Sequence, residues 1–373
     1  MKQNKKKLIT TLLGFILLVG TCVNSVHACT GIRLIATDGG VVYGRTMEWG
    51  AFDMNSRITI IPRGYSFTGL TPDGLNGKKW KAKYCVVGLD MLGQNYFADG
   101  MNEKGLAAGL FYHLGFASYP SYEKDKADIS IAPNDVVSFI LSQFATIDEV
   151  RKGMSKVMVV PVVEESIGIP VYAHWMVTSP EGESIVIEFA NGEMKIFNNP
   201  LGVITNAPTF DWHMINLRNY LKLSAVATPD KKMGGLNFAP LGGGSGMIGL
   251  PGDFTPPSRF VRAVAWTQTA RPTETSSETV YEIFRILDNF NVPLGAAEGS
   301  DHSSNIKGMR SSTEWTTAWD LSEHVLYYHT QNNRRVRALD LKELDFSNLG
   351  DDLIHLPLDK IKEQDIEYIT PKK

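Results

Sequence analysis

Val26-His27-Ala28-Cys29 ends an apolar leader, and Cys29-Thr30-Gly31-Ile32-Arg33 opens the chain that follows it. The leader has four lysines near its start, an apolar run over residues 8–19, and small residues at the −3 and −1 positions before Cys29. This three-part layout is typical of a secretory signal peptide. We therefore predict that residues 1–28 are removed and that the protein is exported, to the periplasm or out of the cell.

Cleavage before Cys29 would place a thiol and a primary amine on one residue. The α-amino group titrates near ~8, close to working pH, so Cys29 could supply both a nucleophile and a base. Two other readings of Cys29 stay open. It could carry a lipid, as in a lipid-anchored binding protein, although His27 fits poorly before such a cysteine, or it could be an ordinary buried thiol.

The composition excludes several classes of function. The chain is 43% hydrophobic and carries a formal net charge of −3, so its surface suits neither nucleic acid nor an anionic membrane. Its longest apolar run is too short to span a bilayer, so no stable membrane insertion is predicted. Only Cys29 and Cys85 follow the leader, which argues against a disulfide framework, and the Cys/His spacing of a structural metal site is lacking.

The periodicity of the chain predicts one α+β domain over residues 29–373, with two antiparallel sheets and helices outside them. Asp38-Gly39 predicts a hairpin that returns Arg45 to Trp49 beside Cys29. Thr146 and Glu149 form a capping-box pattern. The predicted strands are 31–36, 41–49, 57–62, 80–88, 174–178, 184–189, 195–197, 202–205, 309–320 and 325–329, and the four between 174 and 205 are expected to form a meander. Two helices are predicted to begin near 134 and 147, and three more are predicted over 212–225, 257–267 and 277–290.

Asn206 ends a predicted strand just before Pro208. A side-chain amide at a strand end is well placed to bind a ligand, and it is equally typical of a turn cap. From the residues alone both interpretations remain open.

Five stretches in order resemble the choloylglycine hydrolase family, N-terminal-nucleophile hydrolases that include bile salt hydrolases and penicillin V acylases. They are Cys29-Thr30-Gly31, Gly44-Arg45-Thr46-Met47-Glu48-Trp49, the run from Ala98 to Leu106, the run from Thr205 to Trp212, and the run from Gly249 to Phe260. The resemblance implies an αββα four-layer fold, hydrolysis of a linear amide, no metal or organic cofactor, and a homo-oligomer.

Carried over by position, the resemblance makes Cys29 the nucleophile, places Arg45 beside its thiol, gives Asn206 an oxyanion-hole amide, and makes Arg259 a second active-site arginine. A nearby guanidinium is expected to lower the pKa of the thiol and favour thiolate. The family's usual aspartate is Glu48 here. The segment Ala107 to Tyr112 is one residue shorter than in many bile salt hydrolases, so the second oxyanion donor is assigned to a backbone N–H near Phe111 or Tyr112.

The substrate implied by this resemblance is a conjugated bile salt, which needs a broad apolar pocket. Met47 and Ala98 match pocket positions of the family, and Val162 and Ile167 resemble a pocket wall, whereas Val160 and Val163 are expected in the core. A site lined by Trp49, Phe111 and Tyr112 would also accept penicillin V. Penicillin V acylase, or another N-acyl amide hydrolase, is therefore the alternative function.

Overall fold

A computed structural model describes residues 29–297 and 309–370, and the predicted leader lies outside the described residues. The strands are β1 (Thr30–Ile35), β2 (Val41–Glu48), β3 (Arg57–Ile61), β4 (Ser66–Thr68), β5 (Lys79–Lys81), β6 (Val86–Asp90), β7 (Phe97–Asn102), β8 (Ala107–Tyr112), β9 (Ser130–Ile131), β10 (Met158–Val159), β11 (Val163–Glu164), β12 (Ile169–Pro170), β13 (Ala173–Thr178), β14 (Ser184–Ala190), β15 (Glu193–Asn198), β16 (Val203–Ile204), β17 (Lys231–Met233), β18 (Leu236–Phe238), β19 (Thr313–Asp320), β20 (Val325–Thr330), β21 (Arg337–Asp340) and β22 (Ile354–Pro357). The α-helices are α1 (Val136–Gln143), α2 (Ile147–Met154), α3 (Phe210–Asn216), α4 (Pro256–Thr269) and α5 (Ser276–Leu287).

Two large antiparallel sheets form the centre of the fold. The first has six strands in the order β16-β1-β2-β19-β20-β21, and the second has eight in the order β15-β14-β13-β8-β7-β6-β3-β22. Helices α4 and α5 pack on the first sheet, and α1 packs on β6, β7 and β8 of the second. The predicted αββα sandwich is confirmed.

The predicted hairpin of β1 and β2 is confirmed. The amide of Gly40 donates to Asp38 Oδ1 at 2.8 Å, and Gly39 has the positive φ of 90° that this turn requires. The register pairs Gly31 with Arg45 and Thr30 with Thr46. The end of β2 therefore lies beside Cys29.

The predicted meander over 174–205 is wrong at its last strand, β16. Strands β13, β14 and β15 pair in sequence within the second sheet, but β16 crosses to the edge of the first sheet, where Ile204 pairs with Gly31. In this position β16 pairs with β1 and packs against α4, and Val203 is fully buried. Because of this crossover, Asn206 emerges next to Cys29.

Two further element predictions are wrong in extent. The single strand expected over 80–88 is divided, because the amides of Lys83 and Tyr84 donate to the carbonyl oxygen of Ser142 instead of to a neighbouring strand. The helix expected over 212–225 is α3, which ends at Asn216 and continues only as a short 3₁₀ turn. Leu221 is 81% exposed, so no buried apolar face supports further helical turns there.

The helical capping pattern at α2 is confirmed. Thr146 Oγ1 accepts a hydrogen bond from the amide of Glu149, whose carboxylate in turn accepts from the amide of Ala145. Within the described residues, no helix is long and apolar enough to cross a membrane.

Candidate active site

Cys29 lies immediately before β1 with only 4% of its surface exposed. Its Sγ is 4.0 Å from Met47 Sδ. The register of the β1–β2 hairpin places the end of β2 beside this residue. Arg45, Met47 and Glu48 therefore lie around Cys29 because a short turn joins the two strands.

Arg45 is buried completely between the sheets. Its Nη1 donates to the carbonyl oxygens of Ala98 and Leu110 at 2.8 and 2.6 Å, and its guanidinium carbon lies 4.3 Å from the ring centroid of Phe111. These contacts use main-chain acceptors and a π face instead of a carboxylate partner. The positive charge of Arg45 is therefore left to act on its neighbours, which include Cys29.

Asn206 and Arg259 form one hydrogen-bonded unit. Arg259 Nη2 donates to Asn206 Oδ1 at 2.7 Å, and Asn206 Nδ2 donates to the carbonyl oxygen of Tyr112 at 2.8 Å. Arg259 Nη1 also donates to the carbonyl oxygen of Cys29 and to Thr30 Oγ1. The side chain of Asn206 bonds outside its own turn, so the turn-cap interpretation of this residue is wrong.

Burial sets the protonation of Cys29. Desolvation raises the pKa of its thiol above the ordinary value, and the charges of Arg45 and Arg259 offset this only in part. Arg45 lowers the pKa of the thiol as expected, but the effect of burial is larger, so the net shift is upward. A neutral thiol needs a base that takes its proton when it attacks.

Glu48 carries a buried carboxyl group at the end of β2. Its Oε1 accepts a hydrogen bond from Thr313 Oγ1 at 3.1 Å, and its Oε2 has no hydrogen-bond partner among the described residues. Burial raises the pKa of Glu48 to about 8, against the lowering effect of Arg259. A buried oxygen without a partner beside Cys29 is suited to accept a hydrogen bond from a group attached to that residue.

A cavity with mainly apolar walls opens onto Cys29. Its walls are almost entirely methionine, aromatic and aliphatic side chains. The lining residues are Cys29, Met47, Glu48, Trp49, Phe52, Met54, Met91, Leu92, Tyr96, Leu110, Tyr112, Glu164, Ile167 and Val171. Of the residues predicted to contact substrate, Met47, Tyr112 and Ile167 lie in this wall.

The other three predicted contact residues lie elsewhere in the described structure. Ala98 and Phe111 are fully buried. The carbonyl oxygen of Ala98 accepts a hydrogen bond from Arg45, and the ring of Phe111 packs between Arg45 and His174. Alternate side chains of a strand point to opposite faces, so Leu110 and Tyr112 of β8 reach the cavity and Phe111 does not. Val162 is half-buried outside the cavity wall.

The expectation of a core position is confirmed for Val160, which is fully buried, and is wrong for Val163, which is 59% exposed. Val163 belongs to β11, which pairs with the short strand β12, and its side chain faces solvent.

Several lining residues were not foreseen. Phe52 and Met54 follow β2, and Met91, Leu92 and Tyr96 connect β6 to β7. The signal for them in the sequence is a set of apolar side chains within loops, where polar residues are usual.

Cys85, the other cysteine of the described chain, is buried and free, and its Sγ lies 3.0 Å from the carbonyl oxygen of Ile61. Burial raises its pKa to about 12, so it is a structural thiol of low reactivity.

Two central antiparallel sheets with helices packed on them are the architecture of the N-terminal-nucleophile hydrolase fold, and a buried cysteine lies at the start of its first strand. Residues 29–355 match the model of the linear amide C–N hydrolases, choloylglycine hydrolase family. The chain belongs to this family.

Individual relatives agree with that assignment. The chain is 33% identical over 320 residues to the bile salt hydrolase/transferase of Clostridium perfringens, covering 84% of this chain and 93% of the relative. It is 26% identical over 382 residues to the penicillin V acylase of Pectobacterium atrosepticum, covering 96% and 93%. A crystal structure of a mutant conjugated bile acid hydrolase from Clostridium perfringens superposes with a TM-score of 0.78 at 29% identity, covering 92% of this chain and 100% of that one.

Proposed function

We propose that this protein hydrolyses the amide bond of conjugated bile salts, with Cys29 as nucleophile. The observation that carries the proposal is the apolar cavity that opens onto the Cys29 thiol. Relatives named bile salt hydrolases match most of the chain, which supports the same substrate class.

In the proposed acylation step, Sγ of Cys29 attacks the substrate carbonyl carbon and its proton passes to the freed α-amino group. The raised pKa of the thiol makes this transfer necessary, and an amine titrating near ~8 is a suitable acceptor. When the tetrahedral adduct collapses, the same proton goes to the leaving nitrogen, and glycine or taurine departs as an amine. Water then attacks the thioester and restores Cys29.

The oxyanion of the adduct is stabilised by Asn206 Nδ2. One hydrogen of this amide is used by the carbonyl oxygen of Tyr112, and the other is available because Arg259 fixes the amide orientation through Oδ1. A neutral donor stabilises the developing charge without competing as a base. A backbone N–H near Phe111 or Tyr112 remains the predicted second donor.

Glu48 is proposed to hold the α-amino group. Its Oε2 can accept a hydrogen bond from the α-amino group of Cys29. A positively charged α-ammonium there would lower the pKa of Glu48 from its value of about 8. The longer side chain in place of the family's aspartate still ends next to Cys29, because Thr313 Oγ1 donates to Oε1.

The choice between bile salts and penicillin V rests on buried apolar area. A steroid covers more of the cavity wall than a phenoxyacetyl group, and each 100 Å² of apolar area contributes about 2–3 kcal/mol before the costs of binding. Trp49 and Tyr112, whose rings meet edge to face at 6.0 Å, favour penicillin V as the second candidate.

The deciding experiment measures kcat/KM for glycine- and taurine-conjugated cholates and for penicillin V on one sample that begins at Cys29. We expect the cholates to give the higher value. A higher value for penicillin V would assign the enzyme to the acylases, and negligible turnover of all three would indicate another N-acyl amide.

The proposal includes export and cleavage before Cys29. The leader pattern supports it, and the family match also begins at Cys29. N-terminal mass analysis of the mature protein should find a free Cys29. A lipid on Cys29 would block both amine and thiol and would favour the lipid-anchored binding protein.

Self-association is also proposed. The hairpin of β17 and β18 and the loops around it expose several large apolar side chains, which is unusual for a surface that meets only water. They include Leu221, Val226, Met233, Leu236, Phe238, Leu241 and Ile248. Light scattering should give a mass above that of one chain, and Leu236→Lys with Phe238→Lys should lower it; a monomeric wild type would refute this part of the proposal.

A further inference from the structure

Three buried histidines are hydrogen-bonded to the main chain around Asn206. Their Nε2 atoms lie close to three carbonyl oxygens: His174 is 3.0 Å from that of Thr205, His213 is 2.9 Å from that of Asn206, and His113 is 3.2 Å from that of Pro208. All three side chains are at most 1% exposed. They come from β13, α3 and the end of β8, so three separate elements meet on one loop.

The positions of the protons follow from the partners. A carbonyl oxygen only accepts hydrogen bonds, so each histidine carries its proton on Nε2. His174 Nδ1 is then an acceptor at 2.9 Å from Glu188 Oε1, which also accepts from the amide of Phe210 at 3.0 Å. One proton must therefore lie between Glu188 and His174, and this pair fixes the tautomer and ring orientation of His174.

The pKa shifts support the neutral form of this cluster. Burial lowers the pKa of His174 and His213 to about 4 and that of His113 to about 3, and it raises the pKa of Glu188 to about 7. Neutral rings donate through Nε2 alone.

The geometry is unsuited to a metal ion, although His113, His174 and Glu188 lie near one another. A metal binds in the plane of an imidazole at about 2.0–2.1 Å. The rings of His113 and His174 are stacked, with centroids 4.2 Å apart and planes within 7°. Their in-plane lone pairs therefore run parallel and do not converge on one point.

We propose that His174, oriented by Glu188, and the flanking His113 and His213 are positioning residues that hold the Asn206 amide in line with the Cys29 thiol. This inference rests on the proposed role of Asn206 as an oxyanion donor.

The need for such positioning follows from how Asn206 is attached. Arg259 and Tyr112 set the rotation of its side chain but not the location of its backbone. The preceding strand, β16, is only two residues long, so the sheet gives the loop little support. Carbonyl contacts before, at and after Asn206 supply that support, and a displacement of 1 Å in a reacting group can cost about 10² in rate.

His174→Phe is the test variant, since it keeps a flat ring beside His113 and removes the donor to Thr205. His174→Gln is the conservative variant, because an amide nitrogen can replace Nε2. His329→Phe is the matched control: His329 is 5% exposed, lies on β20 and has a pKa lowered by burial to about 4, as His174 has. Thermal unfolding of each variant establishes that it is folded.

We would measure kcat and KM of the processed enzyme with the better of the two conjugated cholates. A double-mutant cycle compares wild type, His174→Phe, Asn206→Ala and the variant that carries both changes. We expect Asn206→Ala to lower kcat by about 10²–10³. We expect His174→Phe to lower it at least about tenfold with KM changed less than about threefold, and His174→Gln and His329→Phe to stay within about threefold of wild type. In the Asn206→Ala background, His174→Phe should have almost no further effect.

Different failures have different meanings. An unchanged kcat in Asn206→Ala would overturn the proposed oxyanion role and the positioning inference with it. If Asn206→Ala lowers kcat as expected, two results would overturn the positioning inference and leave the oxyanion role intact. In the first, His174→Phe lowers kcat by the same factor in the Asn206→Ala background as in the wild type. In the second, His174→Phe keeps a kcat as high as that of His329→Phe.

Discussion

Arg259 and Asn206 are joined by a 2.7 Å hydrogen bond from Nη2 to Oδ1, although 53 residues separate them in the chain. The same guanidinium donates through Nη1 to the carbonyl oxygen of Cys29 and through Nε to that of Phe254 at 2.8 Å. Arg259 therefore connects the nucleophile residue to the oxyanion donor with one rigid, planar group. Burial lowers its pKa to about 10, which leaves it charged at neutral pH.

Replacing Arg259 by lysine should separate the role of geometry from that of charge. A lysine keeps the charge, but its single nitrogen cannot reach both Cys29 and Asn206 in the arginine's fork geometry. We expect Arg259→Lys to lower kcat about 10- to 100-fold with a smaller change in KM. Steady-state kinetics measures both.

Arg262→Lys is the matched control for that experiment. Arg262 lies on the same helix, is 6% exposed, and donates to the carbonyl oxygens of Pro251 and Asp253 at 2.8 and 2.6 Å. Its variant should keep kcat within about threefold of wild type. Equal losses in the two variants would mean that Arg259 acts on helix stability and not on the site.

Met47 should control the binding of the acyl group. It lies in the cavity wall 4.0 Å from the Cys29 thiol, so Met47→Glu places a carboxylate on an apolar surface beside the reacting sulfur. We expect kcat/KM for conjugated cholates to fall by about 10² or more, because the new carboxylate would lose its water against the bound acyl group and would also pair with Arg45, whose Nη2 lies 3.4 Å from Met47 Sδ. Met158→Glu, at a half-buried site on β10, is the control. If both variants kept wild-type values, this cavity would not be the acyl site.

Acid should unfold the protein through its buried histidines. The pKa of His113, His174 and His213 is lowered in the folded state to about 3, 4 and 4, from an ordinary value of 6.5. Their stabilising contribution is present above pH 6.5 and is lost as the pH falls toward 4, because the unfolded chain binds the protons first. At pH 5 the protonation of His213 in the unfolded chain costs about 2 kcal/mol relative to pH 7.5, whereas the carboxyl of Glu188, whose pKa is raised to about 7, acts in the opposite direction.

Urea unfolding at pH 7.5 and pH 5 measures this loss. His213→Phe, whose ring can still stack on Phe260 at the 4.5 Å spacing of the native pair, should lose about 2 kcal/mol less than wild type between the two pH values. An identical pH dependence in the two proteins would show that His213 is not titrated on unfolding.

Much of the site could be predicted because its first part is local. The turn at Asp38 and Gly39 fixes the β1–β2 register, and that register alone brings Arg45, Met47 and Glu48 to Cys29. Asn206 could be assigned only through resemblance, because its location depends on β16 leaving one sheet for the other. Pairing between distant segments leaves no trace in local periodicity.

The cavity wall and the thiol chemistry were harder to predict, for physical reasons. Whether Phe111 or its neighbours face the cavity depends on strand parity, which a shift of one residue reverses. The pKa of Cys29 depends on the balance between desolvation and two arginines, and only the packed structure shows that burial outweighs them. The cluster of three histidines could not be predicted, because its members are far apart in the sequence and are brought together only by the fold.

The free amine of Cys29 is the base in this account, so activity should require cleavage before Cys29. The most direct test compares kcat of two preparations verified by mass, one that begins at Cys29 and one that keeps residues 1–28, with processed Cys29→Ala as the inactive reference. We expect turnover only in the first, since an Ala28–Cys29 amide nitrogen cannot accept the thiol proton. Turnover by the uncleaved protein at a rate comparable to that of the processed enzyme would contradict the account.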